Sequence, residues 1–130
     1  MQHALVWLAD GDGTEQLPHG VLAVDTYYAE LALDQQSSGL GVTLAPDASI
    51  IGTADVEATD WPLDDTVAAT STWSTANDYW KATSLTQRVI NAASVATGWE
   101  AFACQARRYR VKLVVTTQGR CPGMCISKRG

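Results

Sequence analysis

The sequence predicts an α+β fold, built as one small domain with two helical segments, a few short strands and an irregular C-terminal tail. Apolar residues recur at helical spacing in two stretches, short β-rich runs lie around them, and the two kinds of element do not alternate regularly. A length of 130 residues suits one domain with its own core. We expect residues 1–117 to form this domain and residues 118–130 to form the tail.

The first elements are a strand and a helix. Residues 4–9 form a short apolar run that ends at the Asp-Gly-Asp-Gly sequence of residues 10–13, which predicts a strand followed by a turn. In residues 21–35 the apolar side chains recur mostly every three or four positions, and Asp25 provides an acid for the first turn. This pattern predicts the first helix.

Short strands and a loop follow in the middle of the chain. Residues 40–44 alternate as a half-buried strand does, and residues 49–52 are a further short strand candidate. Residues 53–72 are rich in Thr, Asp and Ala and contain a Trp-Pro pair, which favours an ordered loop.

The second helical segment is the longest regular element that the sequence predicts, between residues 74 and 109. Leu85, Val89 and Ile90 belong to its apolar stripe, so we expect all three to face the core. Residues 110–117 are rich in β-branched side chains and alternate at their start, which predicts a last strand before the tail.

Charge is sorted along the chain. All nine Lys and Arg residues lie at position 81 or later, whereas 13 of the 14 Asp and Glu residues precede it. Three arrangements can relieve the resulting repulsion. The basic half can fold over the acidic half, the acidic face of one copy can meet the basic face of the next in a ring or filament, or a basic stripe can bind nucleic acid. The acidic half disfavours the third arrangement because it would repel a polyanion.

The second arrangement predicts an interface between copies of the chain. Its candidate residues are the cations Arg107, Arg108, Arg110 and Lys112 and the carboxylates Asp60, Asp64 and Asp65. We expect a homo-oligomer in a ring, with neighbouring proteins as further partners.

Cys121 and Cys125 flank a Pro-Gly pair, so they can form a disulfide, share a metal or remain inert thiols. Zinc would need further ligands, which only Cys104 and two distant histidines offer. Residues 10–15 begin like a calcium loop but lack its later ligands. The sequence contains no phosphate loop, nucleophile elbow or zinc-binding helix motif, and no apolar run long enough for a membrane helix. We therefore expect no catalytic residues, no cofactor, no metal and no membrane contact.

Three segments resemble one family of proteins. The segments are residues 4–11, the VDTYYA sequence of residues 24–29, and a pattern of Trp, Ala, Asp, Lys and Leu in residues 73–85. They resemble, in that order, the opening strand and turn, the first helix and the start of the second helix of a family encoded among the head-to-tail connector genes of tailed bacteriophages and often labelled DnaT-like. The three segments together hold 27 of the 130 residues. The resemblance implies a structural virion component and brings no catalytic residues.

The leading hypothesis is a neck or head-tail connector subunit of a tailed phage, made in the host cytoplasm and located in the virion. It would self-assemble through the charge-sorted interface. The alternative is a small cytosolic thiol-dependent enzyme that uses Cys121 and Cys125, or a regulatory binding module. Association that depends on salt would favour the first hypothesis.

Overall fold

The structure is a computed structural model, which describes residues 2–5, 20–31, 39–45, 50–60, 80–91, 96–104, 106, 108–120 and 123–129. Over these residues the chain is all β. The strands are β1 (Gln2–Leu5), β2 (Val21–Leu22), β3 (Thr26–Glu30), β4 (Gly39–Ala45), β5 (Ile51–Thr59), β6 (Lys81–Ala82), β7 (Arg88–Ile90), β8 (Thr97–Ala103), β9 (Arg108–Thr117), β10 (Gly119–Arg120) and β11 (Gly123–Arg129). The described ranges contain no helix of the length and apolarity that a bilayer requires.

One antiparallel sheet has four strands in the order β1-β11-β4-β8. Alternate side chains of its strands point inward, as the pleat of a strand dictates. The buried set comprises Leu40, Val42, Leu44, Trp99, Met124 and Ile126. Between Leu40 and Val42 the register shifts, because β8 carries one more residue than β4 there.

A second antiparallel sheet contains β3, β9 and β5, and the short strands β6 and β7 pair with different parts of the far edge of β5. Every second residue of the three long strands is apolar and faces the core. The buried set comprises Tyr27, Ala29, Ala54, Val56, Ile90, Tyr109, Val111, Leu113 and Val115. The opposite side of this sheet, called the outer face below, carries the polar residues of the same strands.

The inward faces of the two sheets share one hydrophobic core, which gives the arrangement of a β-sandwich. Two hydrogen bonds join the sheets at the β7–β8 corner. Arg88 Nε donates to the Gly98 carbonyl oxygen at 2.8 Å, and Trp99 Nε1 donates to the Thr86 carbonyl oxygen at 2.8 Å. A short ribbon of β2 and β10 forms the third pairing.

The predicted α+β fold is wrong for the described residues. The first predicted helix, residues 21–35, contains β2 and β3, and residues 32–35 lie outside the description. Within β3, Tyr27 and Ala29 are buried whereas Thr26, Tyr28 and Glu30 are more exposed. This period of two belongs to a strand, and tertiary pairing with β9 decides it over the weaker helical spacing.

The second predicted helix is also wrong where the structure describes it. Residues 74–109 contain β6, β7, β8 and the start of β9. Val89 is 66% exposed next to fully buried Ile90, so the shared apolar stripe does not exist. Leu85 packs partly against the core, as expected, but from the irregular segment between β6 and β7.

The expected irregular tail is a further correction, because β11 (Gly123–Arg129) lies between β1 and β4 in the four-stranded sheet. Met124 and Ile126 are buried in the core, and burial of these apolar side chains stabilises the segment as a regular strand. The strands predicted at residues 40–44 and 110–117 are confirmed as β4 and β9. The loop predicted at residues 53–72 is wrong for residues 53–59, which belong to β5; residues 61–72 lie outside the description.

Candidate functional site

The outer face of the five-stranded sheet brings the two oppositely charged parts of the chain together. On this face β9 contributes Arg108, Arg110 and Lys112, and the neighbouring strand β5 contributes Asp55 and Glu57. The register places Arg110 opposite Glu57 and Lys112 opposite Asp55. A cationic strand therefore lies directly beside an anionic strand.

Two ion pairs fix the arginines of this face. Arg108 binds Glu30 of β3 through two hydrogen bonds, from Nε to Oε1 at 2.5 Å and from Nη2 to Oε2 at 3.0 Å. Arg110 Nε and Nη2 both contact Glu57 Oε1, at 2.7 and 2.6 Å. Both arginines are thus neutralised within the chain, which is the first of the three charge arrangements considered above.

Aromatic rings cover the same guanidinium groups. The Arg110 guanidinium carbon lies 4.1 Å from the Tyr28 ring centroid and 4.5 Å from that of Trp80. The Arg108 guanidinium carbon lies 5.1 Å from the Trp80 centroid. These stacked contacts exclude water, and Arg110 is only 6% exposed. Arg108, Arg110, Glu30, Glu57, Tyr28 and Trp80 are called the charge ladder below.

Lys112 differs from the two arginines. It is half-buried at the centre of the outer face, yet among the described residues it makes no ion pair. Asp55, which lies opposite it on β5, accepts a hydrogen bond from Gln87 Nε2 at 2.9 Å. Within the described part of the chain, Lys112 and Asp55 are thus cross-strand neighbours without the ion pair that joins Arg110 to Glu57.

The other end of the outer face is uncharged and β-branched. One row crosses four strands and runs from Thr26 through Val114 and Thr53 to Val89, as the pairing registers show. Ile51 lies on the same side of β5, two residues before Thr53. Val89 is 66% exposed and Ile51 is 39% exposed. These five residues are called the β-branched patch below.

The structure describes four of the seven residues predicted at the interface. Arg108, Arg110 and Lys112 lie together on the outer face, and Asp60 is exposed directly after β5. Arg107, Asp64 and Asp65 lie outside the described residues. Contact of these seven residues with another subunit stays a prediction.

The described thiols lie apart from the outer face. Cys125 is on β11 opposite Thr43, is half-buried, and its Sγ lies 3.7 Å from the Ile126 carbonyl oxygen. Cys104 follows β8, packs partly against the core and has a thiol pKa that burial raises. Both are free thiols, and the predicted partner Cys121 lies outside the description.

Sequence reasoning missed Glu30, Glu57, Tyr28 and Trp80 as members of the site. The pairs are far apart in sequence, since 78 positions separate Glu30 from Arg108. A signal for one pairing did exist, because the carboxylates of β5 and the cations of β9 both recur at every second position. Opposite charge at the same period on two strands favours their pairing.

The described residues include no cluster of three or more His, Cys, Asp or Glu side chains placed to hold a metal ion. The outer face instead combines Arg, Tyr and Trp side chains, which are residue types enriched at protein-binding surfaces, with exposed valine and isoleucine. Comparisons of the chain with protein-family models, with curated proteins and with solved structures find no match.

Proposed function

We propose that the chain is a structural subunit that binds neighbouring subunits through the outer face of its five-stranded sheet. Exposure of Val89 and Ile51 in the β-branched patch, on the same face as Lys112, is the observation that carries this proposal. Exposed valine and isoleucine side chains at a polar rim are typical of protein contacts, because their burial releases ordered water. The charge ladder supports the proposal by holding the sheet in one conformation before contact.

The proposed setting is the particle of a tailed bacteriophage, at the neck or connector. This part rests on sequence resemblance of residues 4–11, 24–29 and 73–85 to the connector-associated family alone, since β3 and β6 occupy described parts of the two segments that resemble helices of that family. The role is mechanical: a repeated contact between identical or neighbouring subunits joins parts of the particle. Peptide mass spectrometry of purified phage particles whose genome carries this sequence tests the setting. Recovery of the chain only among unassembled proteins would count against it.

Association itself is tested by the mass of the protein in solution over a range of protein concentrations. Val89→Lys should shift the protein towards monomer, because a lysine in the β-branched patch would lose its hydration on contact. Val21→Lys is the matched control, since Val21 is 65% exposed on β2, outside the five-stranded sheet. A wild-type chain that stays monomeric at every concentration, at low and high salt, would overturn the proposal.

A further inference from the structure

The order of the strands makes the outer face complementary to itself. Along the row through Lys112, β9 carries the cation and β5 carries Asp55; along the next row β9 carries Arg110 and β5 carries Glu57. A two-fold axis that runs between β9 and β5, parallel to both, exchanges the two strands. Lys112 and Arg110 of one copy then face Asp55 and Glu57 of the other copy.

The same axis matches the β-branched patch with itself. Its row runs Thr26, Val114, Thr53 and Val89 over β3, β9, β5 and β7, with two strands on each side of the axis. Thr26 of one copy faces Val89 of the other, and Val114 faces Thr53. Uncharged β-branched side chains on two facing sheets can interdigitate. Because the two-fold axis runs along the strands, the strands of the two copies lie along the same axis, which corresponds to aligned sheet packing.

From this symmetry we infer that the neighbouring subunit on the outer face is a second copy of this chain, packed sheet to sheet in a closed two-fold dimer. Lys112 of each copy binds Asp55 of the other. Lys112 carries this contact better than Arg110, because Arg110 is already paired with Glu57 and covered by Trp80 and Tyr28. The inference rests on the proposed function and deepens it by naming the partner.

A charge-exchange experiment tests the dimer. In a dimer of Lys112→Glu, two acids face each other at each of the two symmetry-related contacts between positions 112 and 55. In a dimer of Asp55→Lys, two cations face each other at each of these contacts. Each variant alone should associate at least about tenfold more weakly than the wild type, because like charges meet in the interface. An equimolar mixture should form a mixed dimer of near wild-type strength, since every facing pair is then of opposite sign.

The mixture separates contact between copies from contact within one chain. Lys112 and Asp55 are also cross-strand neighbours in the same chain, so restoration in a double variant would be ambiguous. Restoration in the mixture can arise only between copies. Sedimentation velocity with one variant fluorescently labelled measures the mixed species, and thermal unfolding of each variant confirms its fold.

A second pair of variants covers the case in which a charge exchange prevents folding. Thr26→Glu and Val89→Lys are at half-exposed and exposed positions, and the axis places them opposite each other. Their mixture should associate more strongly than either variant alone. Unchanged association of Lys112→Glu and Asp55→Lys, or mixtures no stronger than the single variants, overturns the two-fold dimer but leaves the proposed function standing. A wild-type chain that never associates overturns both.

Discussion

Arg110 and Glu57 form an ion pair between β9 and β5 that is nearly closed to solvent. The Arg110 Nη2 atom lies 2.6 Å from Glu57 Oε1, and the side chains are 8% and 15% exposed. Tyr28 and Trp80 both stack on the guanidinium group. The pair therefore lies where water cannot replace a missing partner, and the loss of one side chain leaves the other charge unsatisfied.

The first prediction concerns this pair. Arg110→Ala should lower the free energy of unfolding by about 3 kcal/mol or more, because it strands the Glu57 carboxylate and removes the stacking on Trp80 and Tyr28. Urea unfolding at neutral pH measures the change. Arg120→Ala is the control, since Arg120 is exposed on β10 and its removal should change stability by less than about 0.5 kcal/mol. Equal effects of the two substitutions would contradict the importance of the pair.

The second prediction separates two adjacent residues of β7. Ile90→Asp should unfold the domain, because it buries an unpaired charge in the shared core, whereas Val89→Asp should leave the thermal midpoint of the monomer, measured at a concentration too low for association, nearly unchanged. The helical interpretation predicts unfolding by both substitutions, so the pair distinguishes a strand from a helix at this position. Thermal unfolding followed by circular dichroism measures both variants. Loss of the fold in Val89→Asp would contradict the described orientation of β7.

The contrast between Val89 and Ile90 also shows what sequence pattern can establish here. β9 was predictable because Val111, Leu113 and Val115 are large, β-branched or apolar and recur at every second position. In β5 the inward positions Ala54 and Val56 are small, so the strand has the composition of a polar loop. The apolar residues of β5 are too few to predict a strand by themselves. The strand forms because β9 and β7 pair with β5 on either side.

The candidate site was predictable in part. The cations of β9 were identified from charge sorting, but their ion-pair partners depend on which strands become neighbours. Glu30 and Glu57 reach Arg108 and Arg110 only through the order β3-β9-β5. That order follows from long-range packing, and only its β5–β9 pairing has a signal in the sequence, the matched period of opposite charges. The β-branched patch depends on the same strand order for the same reason.

The third prediction concerns Gly98 in β8, where φ is +145°. A side chain is strained in this conformation, and a Cβ atom at Gly98 would also collide with the Val42 backbone of β4. Gly98→Ala should therefore lower the free energy of unfolding by about 1–3 kcal/mol. Gly123→Ala in β11 is the matched control, because a Cβ atom there meets no atom within 4 Å. A Gly98→Ala variant as stable as Gly123→Ala would contradict the close β4–β8 approach.

The last prediction concerns the titration of Cys104. Burial raises the pKa of this thiol above its ordinary 9.0, because the thiolate loses hydration where the side chain packs against the core. The folded protein then holds the thiol proton more tightly than the unfolded chain does. The contribution of Cys104 to stability is therefore complete at a pH below the ordinary thiol pKa. It is lost as the pH rises through the pKa of the thiol in the folded protein. Iodoacetamide labelling, located by peptide mass spectrometry, should show a Cys104 rate profile displaced to higher pH in the native protein than in denaturant. Cys104→Ser should reduce the loss of stability at alkaline pH. If the labelling rate of Cys104 in the native protein rises at the same pH as in denaturant, or at a lower pH, then Cys104 is not shielded as described.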